Sequence, residues 1–389
     1  MTTAAAPDAA QPARRPRVLI LTASVGEGHN TAATSLSSWL GHRSPGPADV
    51  RVIDMLARTR ARGTLLPRLY QLSVQALPLG YELWYQAVAS LDWCHRYYRE
   101  VAAARWAAVL GPELERERPD IVITTHPLCT AAVARLRRRA LTDVPLVAFL
   151  TDFAPHRFWV YPGVDRYLVF SEQAREAVRR MDPEAAVSVS PPAVDRGFHP
   201  FPPVRQRLAR ARLDLPADRL VVLVSAGSRA MGSLRDAVSA VREAGGHAVV
   251  TCGRNRRLLS SLRRTEGGDG ISALGWVDDM AELFAACDVV VNNAGGATAA
   301  EALACGRALV MFRPIAGHGR ACARMLSEVG LAPTCTDRRE LTRLLASWAG
   351  DPEALRCAQR RAAEHARERS PEETVRLLLG EADGITVAR

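Results

Sequence analysis

Lysine is absent from this 389-residue sequence, so all 51 basic residues are arginine. Such one-sidedness reads as coding bias toward GC-rich codons, and the arginines therefore carry little weight as selected contacts. The formal charge is still +10, which draws the chain toward anionic partners such as nucleotide phosphates or an acidic membrane surface. No nucleic-acid-binding motif is present, so nucleic acid is not an expected partner. Apolar runs of about eighteen residues are missing as well, which excludes a membrane-spanning helix. The eight cysteines stand singly, none as CxxC and none near histidines at zinc spacing, so no metal site is expected. Several fall in apolar runs, where a thiol is a small buried hydrophobe, in keeping with a reduced, cytoplasmic chain. The start, MTTAAAPDAAQPARRPR, has no apolar core of a signal peptide. Residues 1–15 are expected to be a disordered leader.

What is present is ordinary globular composition at a length that suits two α/β domains. Short β-branched runs alternate with helical patterns in two long segments, the pattern of parallel sheets covered by helices. RVLILTA, RVIDM, DIVITTH, PLVAFLTD and DRYLVFS are strands of a first domain, residues 16–198. RLVVLVSAG, HAVVTCG, ISALGW, DVVVNNAGG and ALVMF are strands of a second, residues 220–367. The proline- and arginine-rich stretch between them, residues 199–219, shows no strand pattern and is expected to be the link. A last helix, within residues 368–389, could cross back to the first domain. Residues 65–106 break the alternation: they hold Tyr70, Tyr81, Tyr85, Tyr97, Tyr98, Trp84, Trp93 and Trp106, interleaved with Arg68, Arg96, Arg99 and Arg105. Rings beside cations suit a bilayer headgroup layer; helices packing their aromatics on the sheet suit the same pattern.

Glycine-bearing loops follow many of these strands. In SVGEGHNTAA, residues 24–33, Gly26 and Gly28 permit a tight strand-to-helix turn, and His29 stands where turn becomes helix. The dinucleotide spacing G-x-G-x-x-G fails at Thr31. A histidine there can take a proton near neutral pH, or merely pack the turn. LTDFAPHRFW places Asp152, His156 and Trp159 at another strand end, as acid/base chemistry with a sugar-stacking face or as a helix cap with a core indole. In NNAGGATAAEAL, residues 292–303, Gly295 and Gly296 open a helix start able to hold phosphate. There Glu301 could accept ribose hydroxyls or close a capping box with Thr298. SAGSRAMG, CGRN, GWVDDM and PIAGHG end further strands of the second domain. Loops gathered on one sheet edge point to a ligand on that edge.

In this order the segments TASVGEGHNTAA, TTHP, FLTDFAPHRFWVYPGVDRYLVFSE, CGRN, GWVDDMAELFAACDVVV and NAGGATAAEAL resemble the MurG-like glycosyltransferases. The resemblance is nearest the branch of monogalactosyldiacylglycerol synthase and processive diacylglycerol glucosyltransferase, and it spans residues 17–330. It implies a GT-B fold, two Rossmann-like domains facing each other across a cleft. It also implies a UDP-sugar donor as substrate rather than cofactor, an acceptor on the N-terminal domain, and inversion without a metal. Carried over by residue, Glu301 binds ribose; Gly295, Gly296, Ala297 and Thr298 hold the diphosphate; Trp276 and Val277 hold uracil. Gly227, Ser228, Asn255 and His318 complete the donor set. His29 and Asp152 stand at the reacting centre, with Gly28, Asn30, His126, His156 and Trp159 on the acceptor side. Family members carry a glutamine-glutamate pair, then asparagine, where AGHGRAC stands here, so the sugar stays open. The expected acceptor is a lipid such as diacylglycerol, at the inner face of the cell membrane. A soluble natural-product acceptor, a UDP-sugar 2-epimerase-type isomerase and a non-catalytic sensor are the alternatives.

Overall fold

The computed structural model describes residues 14–42, 48–59, 77–227, 230, 232–264, 270–294, 296–368 and 370–379. Arg68, Tyr70, Ser228 and Gly295, named above, lie outside them.

Twelve strands among the described residues form two six-stranded, all-parallel sheets. The first takes the order β2-β1-β3-β4-β5-β6 from β1 (Arg17–Thr22), β2 (Asp49–Asp54), β3 (Ile121–Thr124), β4 (Leu146–Phe149), β5 (Arg166–Val169) and β6 (Val187–Val189). The second takes the order β12-β11-β10-β7-β8-β9 from β7 (Val221–Ser225), β8 (His247–Thr251), β9 (Ile271–Leu274), β10 (Val289–Asn292), β11 (Ala308–Phe312) and β12 (Thr334–Cys335). Sequence pattern had indicated ten of these; the edge strands β6 and β12, of three and two residues, are additions. Central strands such as β7 are buried along their whole length, as expected when helices cover both faces of a parallel sheet. In each sheet the order reverses beside the first strand, β1 or β7, and the cleft residues lie at the carboxyl ends of these strands, where ligands bind such sheets.

The link between the sheets is more structured than its composition suggested. Pro203–Arg212 is a helix with proline at its start, a position where the missing N–H costs nothing. It packs on the helix Met280–Ala286, and Arg210 bonds Asp288 at 2.6 Å and the Ala286 carbonyl at 2.9 Å. Near the C-terminus, Pro371–Leu378 opens on a capping box between Ser370 and Glu373 and packs on the helix Glu27–Gly41.

The aromatic segment is two helices, Pro78–Ser90 and Asp92–Glu117, and its core-packing reading holds for one face of them. Tyr85, Ala103, Trp106, Ala107 and Leu110 are buried. Leu79 (74% exposed), Leu83 (71%), Trp93 (65%) and Tyr97 (67%) face outward at spacings of four residues within each helix, and Arg96 and Arg105 of the second helix are exposed too. Among the described residues no helix is long and apolar enough to cross a membrane.

Candidate active site

One cleft, about 1030 Å³ in volume, runs between the two sheets and is lined by strand-end loops of both. On the N-terminal side, His29 lies in the first turn of Glu27–Gly41, directly after β1. Its Nδ1–H donates to the Thr125 carbonyl at 2.7 Å, and Thr151 Oγ1 lies 2.9 Å from the same nitrogen. A carbonyl can only accept, so the proton sits on Nδ1 and Nε2 keeps its lone pair. Burial lowers the His29 pKa against the opposing pull of Asp152. The imidazole is therefore neutral near pH 7, a base ready to accept.

Asp152 follows β4 in a stretch without helix, so it caps nothing. Its Oδ2 accepts from the Trp159 indole N–H at 3.0 Å and lies 3.4 Å from His156 Nε2. Burial opposes ionisation there, but the hydrogen bond and charge of His156, followed by His318 and His29, win and hold this carboxyl well below the usual range. Trp159 is 0% exposed; it positions Asp152 and offers no stacking face to a sugar, a correction to the expected acceptor role. Rings that do line the cleft include Tyr81, Trp84, Tyr85 and Phe158, with Trp84 stacked on Phe158 at 5.6 Å. His126 caps the helix Pro127–Arg138 through Nδ1, lies flat on Trp106, and meets His29 edge-on at 4.6 Å. It thus packs against the His29 ring. Asn30 is turned away from the cleft, bonded to Thr22 at 3.0 Å and to Ser24 at 2.8 Å, where it ties down the first turn. Gly28 lines the cleft and lets the helix approach Ala297 of the opposite sheet.

On the C-terminal side, Gly227, Trp276, Val277, Gly296, Ala297, Thr298, Glu301 and His318 all reach the cleft. Asn255 does not: its side chain accepts from Leu258 N–H and caps Arg256–Arg263. Trp276 presents a half-exposed indole, with the Arg254 guanidinium 4.4 Å from the ring centroid. The helix Ala297–Ala304 starts with Gly296 as its N-cap, so Thr298 is already inside it and the capping box with Glu301 does not form. Burial alone pushes the Glu301 carboxyl up to about 8. His318 opens the helix His318–Glu328 and faces Asp152 from the other sheet, and burial lowers its pKa. Three histidines, two from one half and one from the other, thus surround one carboxylate.

Glu82, which sequence reasoning passed over, joins the halves. Its carboxylate accepts from Gly317 N–H at 2.7 Å and from Arg320 at 3.2 Å. Gly317 has φ 71°, and a Cβ there would stand 2.7 Å from the Tyr81 ring. Gly317→Ala should therefore lower the unfolding free energy by about 1–3 kcal/mol, read by thermal or urea denaturation. Wild-type stability would show that this contact yields freely. Among the described residues no cluster of three or more His, Cys, Asp or Glu could hold a metal.

Comparison with known proteins fits this geometry. Residues 29–187 match the family model "Monogalactosyldiacylglycerol (MGDG) synthase", and residues 220–333 match "Glycosyl transferases group 1". A curated processive diacylglycerol beta-glucosyltransferase of Bacillus mycoides is 28% identical over 349 residues, covering 84% of each chain. One from Bacillus cereus is 27% identical over 339 residues with the same coverage. Among solved structures, Anabaena HepE in complex with UDP superposes with TM-score 0.59 at 16% identity, over 94% of this chain and 98% of its own. Acinetobacter baumannii MurG gives 0.55 at 12%, over 94% and 100%. These structural likenesses speak for fold: two facing parallel sheets of the GT-B type. Each half is thus matched by a glycosyltransferase model around one shared cleft, and the chain resembles monogalactosyldiacylglycerol synthase and the processive diacylglycerol glucosyltransferases in sequence and the GT-B glycosyltransferases in fold.

Proposed function

We propose that the enzyme moves a hexose from a UDP-sugar to a hydroxyl of a lipid such as diacylglycerol, with inversion and without a metal. The observation that carries this reading is the pairing, across one cleft, of a neutral histidine with a free Nε2 and a helix N-terminus beside a buried carboxyl. The acceptor O–H gives its proton to His29 Nε2 while its oxygen bonds the anomeric carbon. The bond from that carbon to the phosphate oxygen breaks, and its electron pair leaves with UDP. Asp152 stabilises the imidazolium as it forms. Charge gathering on the leaving diphosphate meets main-chain N–H groups at the start of Ala297–Ala304, a preorganised anion site. Trp276 and Val277 take the base and Glu301 the ribose hydroxyls.

The relatives named for diacylglycerol support the acceptor class, and so does the outward apolar row on the two aromatic helices. Leu79, Leu83, Trp93 and Tyr97 flanked by arginine suit insertion into an anionic leaflet. Replacing Leu79, Leu83 and Trp93 by serine should lower partition onto anionic vesicles at least about tenfold, since each buried apolar side chain is worth roughly 1.5–3 kcal/mol when fully inserted. Flotation at two salt concentrations reads this. Unchanged flotation would remove the surface from the lipid reading.

The direct test is incubation with UDP-glucose or UDP-galactose, with and without diacylglycerol vesicles, followed by mass spectrometry of the lipid. Glycosylated lipid is expected only when both substrates are present. Conversion of the UDP-sugar without lipid would indicate an isomerase, and transfer only to a soluble aglycone would move the enzyme to natural-product chemistry.

A further inference from the structure

Asn292 ends β10, in register with Ser225 of β7 and Met311 of β11, and lines the cleft beside Ala294 and Gly296. Its side chain is pinned. Oδ1 accepts from Asn293 N–H at 2.8 Å and from Ala294 N–H at 3.2 Å. A flipped amide would set NH₂ against two donors, so the orientation follows from the backbone and leaves Nδ2 as the free arm. The residue is 2% exposed, and Nδ2 has no hydrogen-bond partner among the described residues. A buried amide NH₂ without a partner is costly, and a persistent one calls for a group that completes it.

That group must accept hydrogen bonds, because the arm can only donate. The nearest start of a helix adds donors of its own: the first-turn N–H groups of Ala297–Ala304 lie outside the intrahelical ladder, which opens with Ala300 N–H to the Gly296 carbonyl. Donors on both sides of Gly296 that line one cleft suit an anion, whereas hydroxyl groups are served by Glu301 one turn further on. We propose that Asn292 Nδ2 donates a hydrogen bond to a diphosphate oxygen of the donor nucleotide, so that this side chain recognises the diphosphate and not the nucleoside. The inference rests on the reading of this cleft as a UDP-sugar site.

Titration of wild type, Asn292→Asp and Asn292→Ser with UDP and with uridine, by calorimetry or displacement, tests it. Asp keeps the acceptor for the two backbone N–H groups but turns an anionic oxygen toward the phosphate. Ser keeps a short acceptor and removes the amide NH₂ arm, and stands in should buried charge prevent the Asp variant from folding. Both should weaken UDP at least about tenfold, the loss expected for one hydrogen bond to a charged group, with Asp the more severe and uridine changed less than about twofold. Variants that bind UDP like wild type, or that lose uridine and UDP in equal proportion, would overturn the assignment while leaving the donor site intact. A wild-type chain that binds no UDP would instead overturn the reading on which it rests.

Discussion

His29→Ala is expected to lower kcat by at least about a hundredfold, the lower range for loss of a general base, with little change in KM for the UDP-sugar. The reason lies in where the proton sits. The Thr125 carbonyl holds it on Nδ1, so Nε2 is basic without any prior rearrangement. Burial depresses the pKa further than Asp152 restores it, so the kcat/KM profile of the wild type should rise with pH through a value below the ordinary 6.5 of a free imidazole and then level off. The alanine variant should lack that limb. Asp152→Asn should cost a similar factor by another route: the carboxylate is held too far below neutral pH to be a base, but it offsets the charge that His29 acquires in the transition state. Without it, the acid limb should move to still lower pH. Near-normal turnover by both variants, with the limb in place, would take the chemistry away from this pair.

The architecture was largely readable before any coordinates, because runs such as VVLVS are buried on both faces and leave little choice but parallel strands. What escaped was whatever is too short or too local to show periodicity. VSV and TC are edge strands of three and two residues. PVRQRLARAR reads as link without a helix because its stretch is rich in proline and arginine and shows no strand pattern, though proline at the first helical position is a start signal. In the site, types and spacing pointed to loops that do line the cleft but not to the direction of each side chain. The D-x3-H-x2-W pattern brings Asp152, His156 and Trp159 together, yet the indole turns inward to hold the carboxylate. Asn30 and Asn255 satisfy neighbouring backbone or hydroxyl groups, a local option that asparagine always has. Glu82 carried no local signal, since its partner is 235 residues away, and Asn292 opened the NNAGGATAAEAL motif without a role of its own, since what marks it is a bond it lacks.

The second large effect concerns Glu301. Its carboxyl is pushed up to about 8 by burial alone, so in the ligand-free enzyme it is protonated at neutral pH, while in the unfolded chain it ionises near the ordinary value of about 4.3. A raised folded-state pKa means that the contribution of this group to stability is fully present below the unfolded value and is lost as pH rises through the folded one. The loss across that window is of order 3–5 kcal/mol at about 1.36 kcal/mol per unit. Glu301→Gln keeps the shape without the charge, so its unfolding free energy should fall less between about pH 5 and pH 8 than that of wild type, by about that amount. UDP binding should act on the same proton. Two ribose hydroxyls donating to the carboxylate favour its ionised form, so calorimetry near pH 7 in buffers of different ionisation enthalpy should show release of up to about one proton by wild type and none by the glutamine variant. Glu301→Ala should weaken UDP by about a hundredfold, as for two lost hydrogen bonds to a charged group, while leaving the helix in place because Gly296 and not Thr298 caps it. Equal proton release by wild type and the Glu301→Gln variant would place the ribose elsewhere. Collapse of the fold in the alanine variant would make Glu301 a structural group, held in its buried position for the sake of the helix and not the nucleotide.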